Sequence, residues 1–468
     1  MGHQRGGRRM RTAAALGMAA LAVVSAAVPA SGVDGVDGVD GVWRGEGYGT
    51  VISIGNGALT GYDITAVSCL PGALRGERTG PRTFRTADGL VATVRPHGRN
   101  RARLTFDGML GARTLTRLPA LPSPCTTPPP DGPLPVFDTF WHTYAENYPF
   151  FTAKGVDWRA EGERARSRIT EDTTPDELYG ILCGLLSPLH DAHTGLLASG
   201  HEPCVNTRPG TPDYAGDPAL RGRIAEVTDA NLGSVELRRF ADGQLVYADL
   251  PDGTGYLRVT GFTGYTGAGT FAADRAELDR ALDAIFTPTR VRGLPGLILD
   301  LRVNGGGADP LGLRLAARLT DTPHFAYAKR ARDDAHDPAS FTTPEPFFVH
   351  PYRGPRYGGP LAVLIGSLDV SAGETFVQAL TNRIPRPVLI GQNTQGVYSD
   401  TMYRALPGRD WRAVVPNEEY LTSEGHTYDG TGIPPDVRVP VFTEAELSAG
   451  RDSALAEARR LLATESPQ

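Results

Sequence analysis

At 468 residues the chain is too long for one compact core at roughly 100–200 residues per domain, so about three domains are expected. Its 47 basic and 53 acidic residues give a formal charge of −6, and 40% hydrophobic with 21% charged residues is the balance of an ordinary globular protein. Such acidity argues against nucleic acid or an anionic membrane as the main partner, and with Lys154 and Lys329 its only lysines, a lysine-dependent mechanism has two candidates.

The first thirty residues have the three parts of a secretory signal. A basic stretch holds Arg5, Arg8, Arg9 and Arg11, an apolar run extends from Thr12 to about Ala27, and Val28-Pro29-Ala30 forms the small-residue end. Cleavage after Ala30 is expected to leave a secreted chain with four fewer positive charges, at −10. No later run approaches the roughly 20 apolar residues needed to cross a bilayer, so no stable membrane insertion is expected. In an oxidising compartment Cys69, Cys125, Cys183 and Cys204 can form two disulfides in three connectivities. Pairing Cys69 with Cys125 and Cys183 with Cys204 keeps each bridge within one expected domain and is preferred; the spacing is too wide for a zinc knuckle.

Residues 31–42 contain Val-Asp-Gly in three copies, a glycine-rich linker with too little apolar surface to fold. Short alternating runs follow in residues 43–125, such as Gly49-Thr50-Val51-Ile52-Ser53-Ile54 and Ala102-Arg103-Leu104-Thr105-Phe106, and predict a small antiparallel β domain. The proline-rich stretch from Cys125 to Pro133 is a boundary. Residues 134–200 turn helical, with Phe137, Phe140, Trp141 and Tyr144, then Leu178, Ile181, Leu182, Leu185 and Leu186, at helical spacing. Residues 201–253, rich in Pro, Gly and Asp before a strand-like stretch near Gln244 to Leu250, read as a variable excursion over the site. From 254 to 468 strands and helices alternate, an α/β core in which 296–302, 361–366 and 387–391 are apolar runs typical of strands buried on both faces.

Three loops carry candidate chemistry. Asp300-Leu-Arg-Val-Asn-Gly-Gly-Gly307 ends a buried strand with three glycines that can bring backbone amides to a ligand. Leu368-Asp-Val-Ser-Ala-Gly-Glu-Thr-Phe376 sets Ser371 at the start of a helix, where it is either a nucleophile or an N-cap. Leu189-His-Asp-Ala-His-Thr-Gly195 offers a general base; its two histidines lack a third ligand at a recognisable metal spacing, so no metal is expected.

These loops resemble peptidase family S41, the C-terminal-processing and tricorn-type serine peptidases. Asp300-Leu-Arg-x-Asn-x-Gly-Gly307, Val370-Ser371-Ala-Gly-Glu374, Ile390-Gly391-x-x-Thr394-x-Gly396 and Gly430-x-Gly432-Ile-x-Pro-Asp436 match its motifs in order, and the aromatic helical region resembles the segment preceding its core. The resemblance implies a ClpP/crotonase-like α/β core and a peptide or unfolded-protein substrate, with no cofactor. Processing peptidases place their lysine where this chain has Val397, so the tricorn-like design is implied: Ser371 as nucleophile, His193 as base and Asp429 as the orienting carboxylate. The Gly306 and Ala372 amides would form the oxyanion hole, with Thr194 or Glu424 as support. Ala192 stands where tricorn-type enzymes place a serine, and 195–253 lacks the pattern of a PDZ domain.

Further readings bear on function. His190 reads as structural, and Asp300 with Arg302 as a buried pair. The competing function is a non-catalytic binding protein for lipophilic ligands or peptides on the same fold, which would need none of Ser371, His193 and Asp429. No Gly-x-Ser-x-Gly elbow supports an α/β-hydrolase esterase.

Overall fold

Short alternating runs broken by Gly, Asn and Asp build eight antiparallel strands, from β1 (Gly41–Gly45) to β8 (Arg113–Leu118), in a computed structural model that describes residues 38–465. The expected export segment 1–30 and the first part of the linker lie outside the described residues. Each strand pairs with the next, and Val42 of β1 faces Leu118 of β8, so the sheet closes into a barrel with no open edge. Trp43, Ile52, Phe84, Val94 and Leu104 fill its inside. The end of the glycine-rich tract is drawn into this unit, because the Trp43 indole donates to the Val39 carbonyl at 2.8 Å and Val39 is buried. A Cys69–Cys125 disulfide ties the barrel to the proline-rich linker.

The helical region comprises α1 (Pro133–Asn147), α2 (Phe151–Lys154), α3 (Trp158–Arg166) and α4 (Pro175–Leu186). Thr174 and Glu177 form a capping box that starts α4. The aromatic stripe of α1 is core: Phe140 and Tyr144 pack with Tyr148 and Trp158 against Leu182 and Leu186 of α4. Beyond α4 lie β9 (Gly195–Leu197) and β10 (Cys204–Val205), with Cys183 of α4 bonded to Cys204.

The remaining chain contributes α5 (Pro218–Leu232), β11 (Arg238–Phe240), β12 (Leu245–Asp249), β13 (Gly255–Val259), α6 (Phe271–Ile285), α7 (Pro288–Gly293) and β14 (Leu297–Asp300). Next come α8 (Asp309–Ala316), β15 (His324–Ala331), β16 (Glu345–Val349), β17 (Leu361–Ile365), α9 (Ala372–Leu380) and β18 (Val388–Gly391). The chain closes with β19 (Thr401–Ala405), β20 (Arg412–Pro416), β21 (Glu418–Leu421), β22 (Val437–Arg438), α10 (Glu444–Ser448) and α11 (Ser453–Glu465).

The central sheet has the order β11-β12-β13-β14-β17-β18-β22, parallel from β13 onward. Its inner strands β14 and β17 are buried on both faces, which is why they read as continuous apolar runs. Leu257, Leu299 and Val363 face α6, α8 and α9, while Tyr256, Ile298 and Leu364 face α5 and α11. The span 201–253 is therefore more than an excursion. It supplies α5 and two strands of the central sheet, with Ile224, Val227 and Leu232 packed on one face. A second sheet, β10-β9-β20-β19, backs the helical region, and a third, β16-β15-β21, lies between barrel and core. No helix among the described residues is long and apolar enough to cross a membrane.

Candidate active site

Ser371 sits between the buried strand β17 and α9, with φ 57° and ψ −124°. A non-glycine residue in such a conformation costs about 1–3 kcal/mol, so its surroundings must hold it there. The Ser371 amide donates to the Val397 carbonyl at 2.8 Å. Its side chain makes no capping hydrogen bond to α9. The hydroxyl is thus left for other work, and the N-cap alternative is not what the structure displays.

The glycine loop lies directly against this serine. A Cβ on Gly306 would come within 2.6 Å of Ser371 Cβ and 3.1 Å of its Oγ, so only glycine fits. Asn304, buried after β14, donates to the Val259 carbonyl at 3.0 Å and accepts the Gly306 amide at 2.9 Å, and its own carbonyl accepts the Val370 amide at 3.0 Å. The Gly306 amide is thereby occupied. Among the described residues the Ala372 and Gly307 amides have no partner.

His193 follows α4 in a tight turn built by Asp191. Asp191 Oδ1 accepts the His193 amide at 2.9 Å, Oδ2 accepts the Tyr148 hydroxyl at 2.8 Å, and the Asp191 carbonyl accepts the Thr194 hydroxyl at 2.7 Å. Thr194 thus supports the histidine loop. Burial holds the His193 imidazole below its ordinary pKa, while Asp191, Asp400 and the adjacent Ser399 backbone act in the opposite direction. Its Nδ1 is buried without a hydrogen-bond partner.

Asp429 is buried, with its Oδ1 accepting the Tyr398 amide at 3.1 Å and its Oδ2 the Thr427 hydroxyl at 3.3 Å. Burial pushes this carboxyl well above its usual range, and the negative charges of Asp191 and Glu374 add to the shift. No hydrogen bond joins Asp429 to His193, or His193 to Ser371, among the described residues. Each of the three adjoins residues 396–399. Val397 holds Ser371, Tyr398 holds Asp429, and Ser399 lies beside His193. Glu374 fixes that segment by accepting the Gly396 and Val397 amides, each at 2.7 Å.

Other expected residues fall elsewhere. Glu424 is exposed and accepts its neighbour Ser423 at 2.7 Å, away from the histidine loop. His190 is exposed in a left-handed turn. Asp300 and Arg302 form the expected buried pair, which Asp452 at the start of α11 extends with two further bonds of 2.6 and 2.8 Å. Sequence reasoning missed the roles of Asp191, Tyr148 and Glu374; the only signal was a carboxylate close to Ser371 and His193 in their motifs. Among the described residues no group of three or more His, Cys, Asp and Glu could hold a metal.

Comparison with known proteins adds an independent line. Residues 253–439 match peptidase family S41, and residues 134–186 match the tricorn protease C1 domain. The chain is 29% identical over 205 residues to the chloroplastic C-terminal processing peptidase of Tetradesmus obliquus, an alignment covering 41% of this chain and spanning only 37% of that protein's length. A candidate peptidase from Parabacteroides merdae ATCC 43184 shares its fold at 25% identity and a TM-score of 0.59, covering 71% of this chain and 97% of the other. Mature CPAF complexed with lactacystin aligns over the same shares at 15% identity and a TM-score of 0.52, a likeness of fold alone. The glycine loop and the serine loop lie inside the span that matches peptidase family S41, and the helical region lies inside the span that matches the tricorn protease C1 domain, so these parts of the chain are similar to the serine-type peptidases its motifs resemble.

Proposed function

We propose that the protein is an exported serine peptidase that hydrolyses peptide bonds through Ser371, His193 and Asp429. The observation that carries this reading is the strained backbone of Ser371, whose hydroxyl is withheld from helix capping and whose amide is fixed to the segment that also holds Asp429 and borders His193. Ser371 Oγ attacks the substrate carbonyl as its proton passes to neutral His193, and the resulting imidazolium protonates the leaving amine. Water, activated by the same imidazole, then cleaves the acyl ester and restores the serine. The Ala372 amide at the start of α9 is one oxyanion donor. Because the Gly306 amide is engaged by Asn304, Gly307 is the better second donor. The His193–Asp429 contact closes with substrate in place, since catalytic hydrogen bonds are often loose in free enzymes. The two disulfides support an oxidising, extracytoplasmic location.

Fluorophosphonate labelling of the purified protein tests this reading. Labelling of the wild type that is lost in Ser371→Ala and His193→Ala is the expected result. A folded wild type that does not label would overturn it and favour the binding-protein alternative.

A further inference from the structure

Asp369 stands two residues before Ser371, and its carboxyl is buried with no hydrogen-bond partner for either oxygen among the described residues. Its backbone is engaged, the amide donating to the Gly366 carbonyl at 3.0 Å and the carbonyl accepting the Gln395 amide at 3.0 Å. The side chain lies against Gly373 of α9 together with that of Asn304. A Cβ on Gly373 would strike Asp369 Oδ1 and come within 2.8 Å of Asn304 Oδ1. Which atom of Asn304 faces this point is fixed by its other bonds, since Nδ2 donates to the Val259 carbonyl at 3.0 Å and Oδ1 accepts the Gly306 amide at 2.9 Å. Two acceptor oxygens thus converge on one glycine.

An ionised carboxylate buried without donors is costly, and facing its lone pairs toward those of another acceptor adds to the cost. One proton on Asp369 removes both penalties. The Asn304 side-chain carbonyl can receive it, because it has a second lone pair beyond the one given to Gly306. The charged groups that reach Asp369 are Glu374 of α9 and Asp300 at the end of β14, both acidic, and with burial as the larger cause they hold its carboxyl well above the usual range. The nearby cation Arg302 is committed to Asp300 and Asp452. Tyr398, whose phenol feels the Asp369 charge, is also an acid.

We propose that Asp369 is a positioning residue, protonated in the folded protein, whose hydroxyl donates to Asn304 Oδ1 and so ties the glycine loop to the serine loop. Asn304 Oδ1 then uses one lone pair for Gly306, next to the Gly307 amide offered to the oxyanion, and the other for the residue two before the nucleophile. The Asn304 backbone makes a parallel tie by accepting the Val370 amide at 3.0 Å. The proton stays on Asp369 throughout and is not transferred in the reaction. The effect on rate rests on the peptidase reading above, whereas the hydrogen bond itself does not.

Two measurements on the full chain test this. Urea unfolding across pH reads the proton without turnover. A carboxyl kept protonated by the fold gives stability that is lost as pH rises past its ordinary value. Wild type should therefore lose stability relative to Asp369→Asn, the ratio of their unfolding constants changing by up to about tenfold per pH unit above about pH 4. A relative stability that stays constant or rises with pH overturns the proposal, and this comparison decides it even where other variants do not fold. Peptide hydrolysis reads the positioning. Asp369→Leu, of similar size but without a donor, should lose at least about tenfold in kcat with KM within about twofold, and Asp369→Asn, whose Nδ2 can donate to the same oxygen, should recover most of that loss. Equal losses in the two variants, or a raised KM with unchanged kcat, overturn the positioning role. Fluorophosphonate labelling of the wild type separately decides the peptidase reading. A folded protein that does not label yet shows the falling relative stability would keep the hydrogen bond and lose its catalytic sense.

Discussion

The Tyr398 amide donates to Asp429 Oδ1 at 3.1 Å, one residue beyond the Val397 carbonyl that accepts the Ser371 amide. The proposed nucleophile and its proposed carboxylate are thus referenced to consecutive residues of one segment. Asp429→Asn keeps an oxygen for the Tyr398 amide and removes the charge that would steady an imidazolium. The variant should fold as the wild type does and lose about 10³–10⁴ in kcat on a peptide substrate. Retention of activity within about tenfold of wild type would show that another carboxylate orients His193.

Glu374 ties the same segment down from α9, accepting the Gly396 and Val397 amides at 2.7 Å each. Burial pushes its pKa from 4.5 up to about 7, against the pull of Thr394 and the two amides. In the unfolded chain the group ionises near its ordinary value, so between there and about pH 7 the folded state binds more protons and stability falls as pH rises. The loss is of the order of 3 kcal/mol, complete above about pH 7. Asp309, pushed up to about 6 mainly by burial, adds a fall over its own lower window. Urea unfolding across this range should show a shallower decline for Glu374→Gln than for wild type. Identical slopes would contradict the assignment.

Ser371 carries backbone strain at a position where its side chain does not cap α9. Ala at this position keeps the unfavourable φ of 57°, whereas Gly adopts it freely. Ser371→Gly should therefore be more stable than Ser371→Ala by about 1 kcal/mol in denaturant unfolding, with both variants inactive. Equal stability would mean that the loop relaxes once the hydroxyl is gone.

The elements legible in the sequence are those whose signal is local. The apolar runs at β14, β17 and β18 announce a sheet covered on both faces, and the glycine and serine loops stand at the ends of two of them. Closure of the barrel is not legible, because the pairing of Val42 with Leu118 is a long-range contact with no local mark. Helix α5 is hidden by its Pro, Gly and Asp surroundings, although Asp217 caps it and Pro218 occupies its first turn. The segment 396–399 acts through backbone amides and carbonyls, which nearly every residue type offers, so no side-chain pattern could reveal it.

His193 is the group whose ionisation should set the acidic limb of the activity profile. Burial disfavours the imidazolium and lowers the pKa, while the negative charges of Asp191 and Asp400 favour it and limit the shift. The limb of kcat/KM against pH should therefore have its midpoint below the ordinary imidazole value of 6.5. Asp191→Asn retains an oxygen that can accept the His193 amide but removes one of the two charges, so the midpoint should move lower still. Tyr148→Phe removes the hydroxyl bonded at 2.8 Å and leaves the Asp191 charge in place. That variant should lose kcat through a less ordered histidine loop without the same downward movement of the midpoint. An Asp191→Asn profile superimposable on that of wild type would show that the Asp191 charge does not reach the imidazole.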